Sequence, residues 1–387
     1  MSSSQFEFST ATQILFGPGT ISEAGRLAKA WGRRAVVVVG HRPQRVQKLM
    51  DELTAARIST TTVAITHEPT VDDIVSGAAT ARRYGAEMVI GMGGGSVMDA
   101  AKAISALLTN EDSIFDYLEV VGKGNPLELP PVPWMAIPTT SGTGAEVTRN
   151  AVLTIPERGV KVSLRSPYLL ARVALIDPSL TLDMPPALTA STGLDALSQL
   201  IEAYVSNKAN PLCDTLCSTG IPSAAHALPI AFSQPADLTA RSDMSLASLY
   251  SGMALANAGL GAVHGLASPL GGLFHAPHGA LCGALLAPVM AANIKALRNR
   301  QPDSPALSRY TDVARWLTRR SDAEAEDGVS WIKQLTGTLA IPPLTAMKVS
   351  ADKFSVIVEK SLGSSSMKGN PIELSSVELQ SVLEAAK

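Results

Sequence analysis

A carboxylate, a carboxamide and two imidazoles in the second half of this chain have the types and spacing for metal chemistry. Asp195 and Gln199 lie four residues apart in the run Thr189 to Val205, whose apolar spacing predicts a helix, so both fall on one helix face. His264 and His278 bracket a Gly- and Pro-rich stretch, Gly265 to Pro277, read as a hairpin of helices that brings the two rings together; His275 lies inside it. Between Asp243 and Lys295 there is no Asp, Glu, Lys or Arg, so these three histidines need a polar destination within an apolar stretch. A metal ion or a reacting oxygen supplies one. Taken alone, any one of them is more often a satisfied core histidine.

The first half carries nucleotide chemistry. Met88 to Gly91 is an apolar run leading into Gly93-Gly94-Gly95-Ser96, followed by a helical pattern through about Leu107. A strand, a glycine turn and a helix N-terminus let backbone N–H groups approach a phosphate without a Cβ barrier, and the helix dipole favours the anion. The glycines follow the third central strand and lack the Gly-x-Gly-x-x-Gly spacing of the ordinary Rossmann fingerprint, and a tight turn would need glycine as well. A second loop, Pro138 to Glu146, again follows a strand and offers Thr139, Thr140, Ser141 and Thr143 hydroxyls beside flexible backbone. Asp99 and Lys102, three apart, are either a structural pair on the helix or direct ligand contacts. The first central strand ends Val39-Gly40-His41-Arg42; with no carboxylate there to repel a 2′-phosphate and an arginine beside it, the reading leans to NADP(H).

These residues need a scaffold, and the order of elements supplies one. Ala35 to Val39, Thr61 to Ile65 and Met88 to Gly91 read as buried strands, with helices over Gln44 to Ala56 and Val71 to Tyr84 between them. That alternation predicts a parallel sheet covered by helices. Phe6 to Ser9 and Gln13 to Phe16 read as two short strands before a helix from about Ile21 to Ala30, and Trp134 to Ile137 as a further strand. From Pro186 onward the pattern is mostly helical: Thr189 to Val205, Leu212 to Ala227, Arg241 to Ala258, Ala280 to Ala296, Ala306 to Leu317, Val329 to Leu339 and Val377 to Ala386. The expected fold is α/β plus all-α, with a dinucleotide-binding domain over residues 1–184 and a helical metal and substrate domain over 185–387.

Composition narrows the function. Lys plus Arg number 32 against 34 Asp plus Glu, a net charge of -2 that gives no electrostatic reason for nucleic acid or an anionic membrane as partner. A small-molecule partner is expected. The uncharged segment is interrupted by Gly259, Gly261, Pro269, Gly271, Gly272, Pro277 and Gly279, which argues for a buried bundle core over a membrane span. Met1 to Thr10 has no basic or apolar signal character, so a cytoplasmic location is expected. The three cysteines, Cys213, Cys217 and Cys282, read as reduced core thiols.

Together these segments resemble the iron-containing, group III alcohol dehydrogenase family. The likeness runs from Phe16-Gly17-Pro18-Gly19 through GMGGGSVMDAAKA (Gly91 to Ala103), PTTSGTGAEVTRNAV (Pro138 to Val152), Asp177-Pro178, GLDALSQLIEAYVS (Gly193 to Ser206) and VHGLASPLGGLFHAPHG (Val263 to Gly279) to Asn370-Pro371, essentially the whole chain. The resemblance implies an N-terminal dinucleotide-binding α/β domain and a C-terminal helical domain, the dehydroquinate synthase-like arrangement. It also implies a homodimer or higher oligomer that interconverts alcohols and aldehydes or ketones with NAD(P). By similarity Gly94, Gly95 and Ser96 bind diphosphate with Asp99 beside them, Thr139, Thr140, Ser141 and Thr143 flank diphosphate and nicotinamide, and Lys161 and Leu180 approach the ribose. The family's metal ligands, one Asp and three His, match Asp195, Gln199, His264 and His278.

Two positions depart from that pattern: Gln199 stands where the family has a ligand histidine, and Ser268 where it has a histidine near the nicotinamide. A neutral amide oxygen still coordinates a cation, and three stronger ligands suffice for catalytic zinc, so weakened or altered metal binding is expected. Without a metal, His264, His278, His275 or the Ser268 hydroxyl would have to stabilise the oxygen by proton donation. Two further readings stay open: a metal-independent oxo-acid reductase of the maleylacetate reductase type, and a catalytically silent nucleotide-binding relative. A dehydroquinate synthase-like activity needs a dense set of cations for a phosphate-bearing substrate, which the segment from Asp243 to Lys295 lacks.

Overall fold

The computed structural model describes residues 5–41 and 43–387, with the backbone alone at 43 and 44. The chain divides into two compact units: Ser9–Thr140 with Gly144–Leu182, and Asp183–Lys387 with Ser141–Thr143 and the residues ahead of Ser9.

The first unit is built on a six-stranded parallel sheet in the order β1-β8-β5-β4-β2-β3. The strands are β1 (Ile14–Phe16), β2 (Arg34–Val39), β3 (Ser59–Ala64), β4 (Met88–Gly93), β5 (Trp134–Pro138) and β8 (Val173–Ile176); β6 (Asn150–Ile155) and β7 (Val160–Arg165) form a separate antiparallel pair. The helices of this unit are α1 (Ala24–Ala28), α2 (Gln47–Ala55), α3 (Val71–Tyr84), α4 (Gly95–Leu107) and α5 (Ile114–Tyr117). Every residue of β4, β5 and β8 is buried, as expected where helices cover both faces of a parallel sheet. Edge strand β3, Thr-rich and half-exposed, shows the opposite composition. Glycine is required inside β4: a Cβ at Gly93 would stand 2.5 Å from Val97 and one at Gly91 2.8 Å from Ala101, so these two positions let α4 lie directly on the strand it follows.

The chain leaves β2 for β3 on one side and returns to β4 on the other. The gap between β2 and β4 is therefore a topological switch point, and ligands of open α/β sheets bind outside the carboxyl ends of the strands at such a point.

The second unit is helical: α6 (Pro186–Val205), α7 (Pro211–Ser233), α8 (Leu238–Ala258), α9 (Ala262–Phe274), α10 (His278–Arg300), α11 (Pro305–Thr318), α12 (Ala325–Thr338), α13 (Phe354–Leu362) and α14 (Ser376–Ala385). Its core joins Leu197, Leu200 and Ile201 of α6, Ile221 and Leu228 of α7, and Leu281, Leu285 and Leu286 of α10. Helix α10 is long and apolar enough to cross a membrane, but 72% of its most apolar window is buried by protein, which makes it the bundle's central element.

The fold class expected from the sequence holds, and several elements differ. Phe6 to Ser9 forms no strand. The partner of β1 is instead β8, whose four apolar residues between Arg172 and Asp177 are too few to show a period. The β6–β7 hairpin was not expected from the sequence, because Pro156 and Gly159 interrupt its alternation. The stretch Gly265 to Pro277 is no hairpin: α9 runs unbroken through Pro269 and ends where His275 takes a left-handed conformation at φ 52°.

Candidate active site

The two loops read as nucleotide-binding follow adjacent parallel strands. Gly93 and Pro138 are register partners, the Thr139 N–H donates to the Gly93 carbonyl at 2.9 Å, and a Cβ at Gly94 would touch the Thr140 side chain at 3.5 Å. Gly94 is the N-cap of α4 in extended conformation and offers no side-chain cap. The first-turn N–H groups of Gly95 and Ser96 therefore open at the strand's end, where an anion can take them up. Gly40 directly follows β2, the other neighbour of β4, and has room for a Cβ, the nearest atom being Val97 Cγ2 at 3.7 Å. Arg42 lies outside the described residues.

Other cofactor candidates have protein partners. The Asp99 carboxylate accepts from the Val152 N–H at 3.2 Å and sits 3.5 Å from Lys102 Nζ, which in turn donates to Thr148 Oγ1 and the Asn150 carbonyl, each at 2.8 Å. These bonds tie α4 to β6. Burial raises the Asp99 carboxyl and lowers the Lys102 ammonium, each opposed by the charge of the other. Lys161 pairs with Glu68 at 2.5 Å, and Leu180 packs on the sheet core. In the helical unit, Ser141 Oγ is 2.9 Å from Ser245 Oγ.

The metal candidates converge within the helical unit. Asp195 lies mid-way along α6, His264 is the third residue of α9 and His278 the first of α10. His264 Nε2 lies 3.2 Å and His278 Nε2 3.7 Å from Asp195 Oδ1. A fourth donor completes the group: Cys282, one turn along α10 from His278, places Sγ 3.6 Å from His278 Nε2 and 3.8 Å from His264 Nε2. Behind His264, Glu202 Oε2 takes Nδ1 at 2.6 Å while Oε1 accepts from the Val263 N–H at 2.6 Å. Glu202 lies on the same α6 face as Asp195, seven residues on. The start of α9 is further held by Asn370, whose Oδ1 accepts from the Ala262 N–H and from Asn293.

Gln199 is buried on α6, and its Oε1 accepts from Ser251 Oγ of α8 at 2.7 Å. Ser268 and His275 are exposed, and among the described residues neither hydrogen-bonds to the donor group. Cys282 and Glu202 were not foreseen as site residues. The available signal was their helical spacing, Cys282 four residues from His278 and Glu202 seven from Asp195.

The electrostatics suit a cation. With Nδ1–H donating to Glu202, His264 Nε2 turns its lone pair on the Asp195 carboxylate, an arrangement that holds only with a positive charge there. Protons supply it when nothing else does. Burial opposes charging His264, but Cys282, Glu202 and Asp195 outweigh it and raise the imidazole well above its usual range. Cys282 and Asp195 likewise raise His278 against burial. Burial works against the anions too, yet the two imidazoles hold Asp195 and Cys282 below their ordinary values. A carboxylate, two imidazoles and a thiol, with a carboxylate orienting one ring, fit a divalent cation that would displace those protons.

Comparison with known proteins places this geometry. Residues 11–178 match the model of the iron-containing alcohol dehydrogenases, and residues 189–387 that of the family's C-terminal region. Alcohol dehydrogenase 4 of Saccharomyces cerevisiae is 34% identical over 346 residues, covering 88% of this chain and 86% of its own. The crystal structure of a 1,3-propanediol oxidoreductase superposes with a TM-score of 0.91 at 31% identity, over 99% of this chain and 100% of that one. The sulfoacetaldehyde reductase of Bifidobacterium kashiwanohense, solved in complex with NAD+, gives 0.86 at 28% identity and 99% coverage of both. The chain belongs to the iron-containing alcohol dehydrogenase family. It is an alcohol dehydrogenase, acting between small alcohols and aldehydes, in a family that uses a nicotinamide cofactor and a divalent metal.

Proposed function

We propose that the chain interconverts a small primary alcohol and its aldehyde with a nicotinamide dinucleotide bound at the carboxyl ends of β2, β4 and β5 and a divalent cation bound by Asp195, His264 and His278. The observation that carries this reading is the convergence of those three ligand atoms with Glu202 seated behind His264. When bound, the nicotinamide exchanges a hydride with the substrate carbon and the cation polarises the substrate oxygen.

The chain's own residues do the rest. Gly94, Gly95 and Ser96 present N–H groups to the diphosphate, and Thr139 and Thr140 add hydroxyls from the adjacent strand end; Ser141 and Thr143 extend that loop. Asp99 acts by anchoring, since its carboxylate holds Val152 and Lys102. Lys161 reaches the ribose by exchanging Glu68 for a hydroxyl, and Leu180 backs it. A carboxylate is absent at Gly40, which admits a 2′-phosphate and favours NADP(H). Glu202 fixes the His264 tautomer so that Nε2 is the ligand. Without the cation, His278, whose ring is the more exposed of the two at 38% against 6%, would be the imidazole suited to pass a proton between substrate oxygen and water. Ser268 and His275, both exposed, are the remaining donor candidates. Assembly as a homodimer completes the reading; light scattering tests it.

The experiment is NADPH and NADH oxidation by chelator-treated protein over short aldehydes and oxo-acids, then again with iron(II) or zinc. Activity restored by metal supports the reading. Undiminished activity after chelation would replace it with a proton-donor mechanism, and cofactor binding without any turnover would replace it with a silent binder.

A further inference from the structure

We propose that Cys282 is a ligand of the cation site, filling the position that Gln199 leaves, and that its thiolate turns the site from iron toward zinc. The proposal rests on the metal site assigned above and adds one ligand to it.

Geometry is the first argument. Asp195 Oδ1, His264 Nε2, His278 Nε2 and Cys282 Sγ all lie within 4.8 Å of one another. A tetrahedral zinc with bonds of about 2.05 Å to nitrogen and about 2.3 Å to sulfur sets N···S edges at about 3.6 Å and N···O edges at about 3.3 Å. The N···S separations are 3.6 and 3.8 Å and the N···O separations 3.2 and 3.7 Å. Four of the six edges thus lie within about 0.4 Å of those of a zinc tetrahedron, and the remaining two are bounded at 4.8 Å.

Charge is the second. Asp195 and a thiolate supply two negative charges in direct contact with a divalent cation, with two neutral imidazoles completing the set and Glu202 behind His264; Gln199 in place of the thiolate would leave Asp195 the one charged ligand. The Gln199 oxygen already has a donor in Ser251 at 2.7 Å. Thiolate is also the softest donor available, and soft donors select zinc over iron(II), which zinc outcompetes on nitrogen and oxygen sites as well. Ligation releases the thiol proton to solvent as the metal–sulfur bond forms.

The test is spectroscopic. Full-length protein stripped by chelator is titrated with cobalt(II), a visible stand-in for zinc, and zinc is then added to displace it. The expected result is a near-ultraviolet sulfur-to-cobalt charge-transfer band together with intense tetrahedral visible bands, saturating at one cobalt per chain and erased by zinc. In Cys282→Ala the charge-transfer band disappears and zinc affinity falls by at least about tenfold, the lower end of what loss of even a supporting group behind a ligand costs. Adding Gln199→His to that variant restores affinity without the band. Cobalt bound by the unaltered protein with no charge-transfer band would overturn the cysteine ligand and leave Asp195, His264 and His278 standing. Failure to bind cobalt at all would overturn both. If Cys282→Ala does not fold, the spectrum of the unaltered protein decides alone.

Discussion

Replacing Glu202 by glutamine asks whether the carboxylate behind His264 is there for a metal. In the structure Glu202 serves two N–H donors with two acceptor oxygens, His264 Nδ1 at 2.6 Å and Val263 N at 2.6 Å. A carboxamide has only one acceptor, so it must disappoint one of them. If its oxygen stays on His264, its NH2 faces the Val263 N–H and leaves a buried donor unsatisfied, a cost of about 1–3 kcal/mol. If its oxygen turns to Val263, its NH2 donates to His264 Nδ1, and the ring must carry its proton on Nε2, the atom that faces Asp195 and Cys282. That tautomer cannot bind a cation. Both orientations also remove a buried negative charge that favours one. Losses of this kind weaken metal binding by about 10–100-fold, or about 1.4–2.7 kcal/mol. Competition against a zinc chelator of known affinity reads the change directly, with the melting temperature of the metal-free protein as a control for folding. Glu202→Asp, which keeps both acceptors on a shorter arm, should lie between the two. Zinc affinity unchanged within about twofold in a folded Glu202→Gln protein would refute the idea that Glu202 orients a ligand.

Gly40→Asp fits sterically, since the new Cβ meets nothing closer than 3.7 Å, and the carboxylate would repel a 2′-phosphate while accepting from a ribose hydroxyl. The NADPH to NADH ratio of kcat/KM should fall by about tenfold or more, equivalent to about 1.4 kcal/mol; an unchanged ratio places the discriminator elsewhere. Gly93→Ala drives a methyl to 2.5 Å from Val97 and should cost about 1–3 kcal/mol in urea unfolding through overpacking between β4 and α4, so a variant as stable as the parent would contradict the close approach. Burial pushes the Glu146 carboxyl up to about 7 against the partial relief of its own backbone and of Lys102. The folded state therefore holds this proton more tightly than the unfolded chain does, and stability present below the ordinary carboxyl range is lost as pH rises to about 7. The loss reaches at most about 3 kcal/mol between pH 4.5 and 8. Glu146→Gln should flatten that decline in denaturation curves, and equal slopes in the two proteins would dismiss Glu146 as its source.

What the sequence revealed and what it hid divide along physical lines. The parallel sheet was legible because strands such as Ala35 to Val39 and Met88 to Gly91 are buried on both faces and read as unbroken apolar runs, with helices of regular period between them. The glycine turn between β4 and α4 was legible because glycine beside a helix start has a conformational reason to be there. β8 and the β6–β7 hairpin were hidden because they are fixed by partners, Ile14–Phe16 and each other, and carry too little local pattern of their own. Ser251, 52 residues from Gln199, engages it through packing of α6 against α8 that no spacing discloses.

Cys282 is the instructive case. Cysteine in an apolar helix is a good core residue, and Cys213 and Cys217 are that: burial pushes the Cys213 thiol up to about 11 and raises Cys217 well above its usual value. Cys282 is equally buried, yet its thiol is held down by two imidazoles. Burial does not separate the two kinds; position relative to a donor does. On a helix, any residue four places from a ligand shares its face, so the ligand proposed at Cys282 sits four places beyond His278, while Gln199, four from Asp195, engages Ser251. Whether that ligand closes the site depends on where α6, α9 and α10 bring those faces, and that distance is a property of the packed bundle rather than of any one helix.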